Sequence, residues 1–165
     1  MGYTEKRMKH NTSIKEQSLS PTPGAALQLQ NVTAPLEPAK LDEEILTAIA
    51  AAAEKKAINL VVLDLREIAS FTDYFVIASG ANERQVQAIS DEIYETLKKA
   101  GHAAARVEGY KTAEWILLDY GDFVVHVFEQ KARKFYDLER LWRESKRVEL
   151  PAEFSADSSG SLRRE

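Results

Sequence analysis

The chain has 165 residues, 44% of them hydrophobic, a formal net charge of −4 and no cysteine. That length and apolar share suit one soluble domain with a sizeable core. The missing thiols exclude disulfides, thiolate catalysis and cysteine-based zinc sites, and they fit a reducing compartment. No apolar run approaches the roughly 20 residues that cross a bilayer.

In chain order, residues 1–40 hold four of the five prolines and no sustained periodicity, which reads as a disordered N-terminal arm. Its start, "MGYTEKRMKHNTSIKEQSLS", lacks the apolar core of a signal peptide. It is basic and Ser/Thr-containing, but Glu5 and Glu16 weigh against organelle import, and a bacterial-type cytoplasm is the expected setting. Asp42 then caps a helix with Ile45, Leu46, Ile49, Ala53 and Ala57 at helical spacing. "NLVVLDLRE" and "DYFVIASG" read as strands bounded by turn residues.

Asn82 caps a second helix carrying Val86, Ile89, Ile93 and Leu97 on one face, and Gly101 stands where a helix C-terminal cap belongs. "AAARVEG" is a weaker strand, "EWILLDYGDFVVHVFE" a hairpin, and "DLERLWRES" a last helix opened by Asp137. Leu138 and Trp142 in that helix read as packing residues. Residues 148–165 read as a flexible tail. The order α-β-β-α-β-β-β-α predicts an α/β domain with a mixed sheet of about five strands.

The hairpin is the informative element. A two-residue turn at Tyr120-Gly121 sets Trp115 opposite His126, Ile116 opposite Val125 and Leu118 opposite Phe123. One face is then wholly apolar: Ile116, Leu118, Phe123, Val125 and Val127. The other carries Trp115, Leu117, Asp119, Asp122, Val124, His126 and Phe128, too polar for a dry core and too aromatic for plain surface. By pattern alone it is either a face half covered by a flanking loop or a docking face, and a register slip of one residue would exchange the two faces.

Catalytic readings find little support. "SGANERQ" is a strand–Ser-Gly–helix junction of the kind that can cradle phosphate on helix amides. Nucleotidyl transfer also needs paired carboxylates on strands to hold divalent metals. No Asp-x-Asp or Asp-x-Glu pair follows, and Glu108 and Asp119 are isolated. His10 lies in the arm, His102 follows a helix-ending glycine, and His126 has no neighbouring nucleophile. From Leu41 to Leu150 there are 15 Lys and Arg against 20 Asp and Glu. An acidic body fits a basic protein surface better than bare nucleic acid.

"LDLREIASFTDYFVIASGANERQVQAISDEI" and "VEGYKTAEWILLDYGDFVVHVFEQKARKFYDLERLW", in that order, closely resemble the ribosomal silencing factor family, the iojap-like proteins. The likeness covers residues 41–147, which are taken as the domain. It implies a nucleotidyltransferase-like fold without the catalytic carboxylates, no enzymatic activity and no cofactor. It also implies binding to large-subunit ribosomal protein uL-fourteen, obstruction of subunit joining and repressed translation. Homodimers, or a role in large-subunit assembly, occur in the family, and neither DNA nor membrane is a partner. The family's Trp falls on Trp115 and its post-strand Asp on Asp119. Its Gly-Asp-x-x-Val-His-Val run falls on Gly121, Asp122, His126 and Val127, and its Arg-x-x-Tyr-x-Leu run on Arg133, Tyr136 and Leu138. The docking face it implies is Trp115, Leu117, Asp119, Asp122, His126, Phe128, Arg133 and Tyr136.

Overall fold

A computed structural model describes residues 41–155. The arm expected over 1–40 and the last ten residues lie outside it. The elements run α1 (Glu43–Glu54), β1 (Ile58–Asp64), β2 (Tyr74–Gly80), α2 (Glu83–Lys99), β3 (Arg106–Glu108), β4 (Trp115–Asp119), β5 (Phe123–Glu129), α3 (Gln130–Tyr136), α4 (Leu138–Leu141) and β6 (Lys146–Arg147). A 3-10 turn follows at Ala152–Phe154. The sheet has six strands in the order β3-β4-β5-β2-β1-β6. Only β2 and β5 pair in parallel, so the sheet is mixed, as the helical return between them requires.

β2 and β5 lie at the centre and read as continuous apolar runs because both faces of each are covered. All of β2 is buried, and so is β5 up to Phe128. On one face α1 and α2 pack Ile45, Ile49, Val86, Ile89, Ile93 and Leu97 against Val76, Ile116, Val125 and Val127. Asn82 caps α2 as expected, accepting from the Gln85 N–H at 2.9 Å. Asp42 stands at the α1 N-cap without a side-chain bond. Leu46, counted to the apolar face of α1, is over a third exposed, and Ala48, Ala51 and Ala52 fill the buried stripe instead.

On the opposite face Leu63, Leu65, Phe75, Ile77, Val124 and Phe128 meet Ala132 and Leu138 of α3 and α4. The expected closing helix opened by Asp137 is α4, shortened to Leu138–Leu141, and an additional short helix, α3, precedes it; Asp137 separates the two, with a left-handed φ of +49° and ψ of +51°. Asp is among the few non-glycine residues that accept that conformation.

The tail expected from residue 148 begins differently. The Val148 N–H donates to the Val62 carbonyl at 2.9 Å, and Val148, Leu150 and Phe154 pack against the α1/α2 core.

Candidate functional site

The β4–β5 pairing is Trp115–Phe128, Ile116–Val127, Leu117–His126, Leu118–Val125 and Asp119–Val124. This corrects the expected register by two residues. Tyr120 N–H bonds to the Phe123 carbonyl at 3.0 Å, so the two turn residues are Gly121 and Asp122. Gly121 has φ of +87° and Asp122 is not left-handed, and the Asp122 N–H donates to the Tyr120 carbonyl at 3.1 Å, a tight turn that needs Gly at its first position. A shift of two leaves each side chain on its original face. Ile116, Leu118, Phe123, Val125 and Val127 do lie in the α1/α2 core. Trp115, Leu117, Val124 and Phe128 lie on the other side.

That second face is not open sheet. α3 and α4 pack Ala132 and Leu138 over Phe128, which is 0% exposed, while His126, 3% exposed, is enclosed by Phe75, Trp115 and Phe128. The expectation that these two present themselves to a partner is corrected, because both side chains are buried. Trp115 and Leu117 remain half-buried and Tyr136 is 46% exposed. The Trp115 indole N–H donates to Nδ1 of His126 at 3.1 Å. Burial pushes His126 down to about 3, so its ring is neutral.

Around this bond runs a chain of aromatic contacts across the face. Phe135 meets Tyr136 at 5.0 Å between centroids and Tyr136 meets Trp115 at 4.8 Å. His126 meets Phe75 at 4.4 Å, Phe75 meets Trp142 at 5.6 Å, and Trp142 meets Phe71 at 5.8 Å. The two ends are open: Phe135 is 80% and Phe71 46% exposed. At one end Phe135 and Tyr136, beside half-buried Trp115, make an exposed aromatic patch, and exposed apolar patches mark interaction sites on soluble domains.

The two aspartates differ. Asp119 is largely covered and internally committed: its Oδ1 accepts from the Gly121 N–H at 2.9 Å, and Oδ2 lies 3.7 Å from the Arg106 guanidinium. Asp122 is exposed at the turn, its carbonyl accepting from the Asp73 N–H at 3.0 Å. Gly109, with φ of +81°, sits where a Cβ would lie 2.0 Å from the Trp115 carbonyl oxygen. Only glycine lets the β3–β4 connection press onto the start of β4.

Arg133 is a clamp. Its guanidinium forks onto Glu139 at 3.1 and 3.0 Å and reaches Asn59 O at 2.7 Å and Ser79 Oγ at 2.8 Å. One side chain thus ties α3 to α4, β1 and β2. Burial raises the Glu139 carboxyl, but its bonds to Arg133, with Arg147 nearby, hold it below the ordinary value. The Ser-Gly junction considered as a phosphate cradle is filled from inside the protein. Ser79 is engaged by Arg133, Gln85 Oε1 takes the Ala81 N–H at 2.7 Å, and Asn82 takes the Gln85 N–H. No group of three or more potential metal ligands occurs among the described residues.

The structure therefore brings Trp115, Leu117 and Tyr136 together over the buried pair His126 and Phe128, puts Asp119 and Asp122 at the hairpin turn, and sets Arg133 beneath α3. Sequence reasoning missed Phe135 and Leu141, the latter 74% exposed. Leu141 ends α4, inside the predicted closing helix, and Phe135 lies on α3, where no helix is expected from the sequence. The signal was Glu129, whose carboxylate accepts from the Lys131 and Ala132 N–H groups as an N-cap.

Three comparisons bear on this site. Residues 38–164 match the family model "Ribosomal silencing factor during starvation". A ribosomal silencing factor of Halalkalibacterium halodurans is 43% identical over 103 residues, covering 62% of this chain and 88% of the relative. The mouse protein named "Mitochondrial assembly of ribosomal large subunit protein 1" is 30% identical over 107 residues, 63% of this chain and 46% of that one. A crystal structure of a protein from Chromobacterium violaceum superposes with a TM-score of 0.61 at 32% identity, covering 69% of this chain and 92% of that one.

Proposed function

The chain belongs to the ribosomal silencing factor family, and we propose that it docks on large-subunit ribosomal protein uL-fourteen and blocks the approach of the small subunit. The observation that carries this reading is Trp115, half-exposed and held by a hydrogen bond to a buried neutral histidine. Trp is among the residues most enriched at the energetic centres of interfaces, and here it is fixed before any partner arrives. Leu117 and Tyr136 extend the apolar centre. Asp122, exposed at the hairpin turn, supplies a carboxylate for the Lys or Arg of a basic ribosomal protein, which sets orientation and association rate.

The mechanism is steric. A folded domain seated on that protein occupies the space of the incoming subunit, so translation falls without any bond being made or broken. The chain acts as a non-enzymatic repressor in a bacterial-type cytoplasm. A second reading, a role in assembling the large subunit from the same docking site, is favoured by the name of the mouse relative.

Gradient sedimentation of tagged full-length chain with cell lysate tests the docking. Co-migration with free large subunits, and not with small subunits or joined ribosomes, is expected. Co-migration with joined ribosomes would overturn the obstruction. Adding the chain to mature purified subunits then separates the two readings, because silencing lowers their joining whereas a purely assembly role leaves it intact.

A further inference from the structure

The acidic sum of the domain hides an asymmetry. Between Gln130 and Arg147 there are seven Lys and Arg against three Asp and Glu. This segment is α3, α4 and β6, the cover laid over the aromatic face. Three of its cations are committed: Arg133 and Arg147 both pair with Glu139, and Lys146 pairs with Glu67. Lys131, Lys134, Arg140 and Arg143 are exposed and have no ion pair among the described residues. Lys131, Lys134 and Phe135 share one outward stripe of α3, since residues three and four apart are neighbours on a helix. Phe135 and Leu141, at 80% and 74%, are the most exposed large apolar side chains of the described residues.

Unpaired cations interleaved with an open aromatic ring match the two needs of RNA contact, phosphate neutralisation and base stacking. We infer that the α3–α4 surface contacts an RNA backbone beside the protein docking site, with Lys134, Arg140 and Arg143 on phosphates and Phe135 against an unstacked base. The inference rests on the docking reading and deepens it. The hairpin turn carries Asp122 in an exposed position and suits a basic protein. The α3–α4 end suits the polyanion beside which such a protein sits. A face divided in this way recognises a junction of ribosomal protein and RNA, and neither component alone satisfies both ends.

The test compares full-length wild type with a Lys134→Glu/Arg140→Glu/Arg143→Glu variant, binding purified large subunits and, separately, the isolated ribosomal protein over a salt series. The variant is expected to bind subunits at least about tenfold more weakly at low salt, with a log–log salt slope shallower by roughly 2 to 3. Its binding to the isolated protein should be unchanged. An equal loss on the isolated protein would overturn the inference, because the patch would then belong to the protein contact. So would subunit binding with unaltered affinity and slope. A photoreactive phenylalanine analogue at position 135 of the otherwise wild-type chain gives an independent readout. Crosslinks into ribosomal RNA are expected, and crosslinks confined to ribosomal proteins would overturn the inference. If wild type fails to bind the isolated protein, the docking reading falls, and the crosslink still decides the RNA contact.

Discussion

The indole N–H of Trp115 donates to Nδ1 of His126 at 3.1 Å, joining a half-exposed side chain on one strand to a buried one on its neighbour. With Nδ1 accepting, the neutral ring carries its proton on Nε2, which has no hydrogen-bond partner. The imidazole packs against Phe75 and Phe128 instead. A second proton would create a buried cation with no counter-charge beside it, which explains why burial pushes the group to about 3.

The first prediction follows from that shift. His126 has a folded pKa below its unfolded value of about 6.5, so the unfolded chain binds the extra proton and stability falls as pH drops from 6.5 toward 3. Its contribution should fall by about 2 kcal/mol between about pH 7.5 and pH 5. His126→Asn keeps an acceptor near Nδ1 for the indole and removes the titration. Urea midpoints across that range should flatten in the variant, whatever its absolute stability; an unaltered slope would mean the histidine is not the group responsible.

Gly109→Ala addresses the loop that presses on Trp115. A Cβ there meets the Trp115 carbonyl at 2.0 Å and the backbone φ is +81°, so the loop must move. A loss of about 2 kcal/mol or more is expected from left-handed strain plus the displaced contact. Because the displacement falls on Trp115, large-subunit binding should weaken together with the melting temperature. Stability near wild type would show that the loop relaxes without cost.

The family resemblance implies Arg133 as a docking residue, and its bonds within the protein assign it a different expected phenotype. Arg133→Met leaves Glu139 partly buried and removes the ties from α3 to Asn59 and Ser79. Breaking one side of a buried pair is destabilising, here by about 2–3 kcal/mol given the partial exposure of Glu139. Adding Glu139→Leu should recover part of that loss by removing a partly buried carboxylate that keeps only the exposed Arg147, at 3.2 Å, as an ion-pair partner among the described residues. A double variant no better than the single one would argue against the clamp.

How far the sequence spoke can be traced through the hairpin. Face assignment was legible because strand side chains repeat every two residues, and the two-residue error in register preserves that parity. The register itself turned on which glycine-containing pair makes the turn. Tyr-Gly and Gly-Asp overlap, and only the positive φ of Gly121 at the first position selects the second. β6 is two residues, Lys146 and Arg147, recruited by pairing to β1; nothing in their chemistry calls for a strand. The burial of Phe128 is not legible in the sequence for one reason. It depends on α3, seven residues begun by an unusual Glu cap, and without that helix the aromatic face reads as open.

The last prediction uses two neighbours that point opposite ways. Trp115 lies on the α3–α4 side, half-exposed, while Ile116 is fully buried against α1 and α2. Trp115→Ala should reduce binding to large subunits by about 30-fold or more, since truncating an interface Trp costs roughly 2–4 kcal/mol. Its stacking on Phe128 and Tyr136 adds a fold cost, smaller than that of a core truncation because the ring is already partly in water. Ile116→Ala should lose about 2–5 kcal/mol of stability through the cavity it leaves, while the variant molecules that remain folded keep wild-type affinity. Thermal melts and subunit binding on both variants resolve the pair. If Ile116→Ala spares the fold and abolishes binding, the assignment of faces is inverted. If Trp115→Ala leaves binding intact in a folded domain, the aromatic face serves packing alone and docking belongs elsewhere on the molecule.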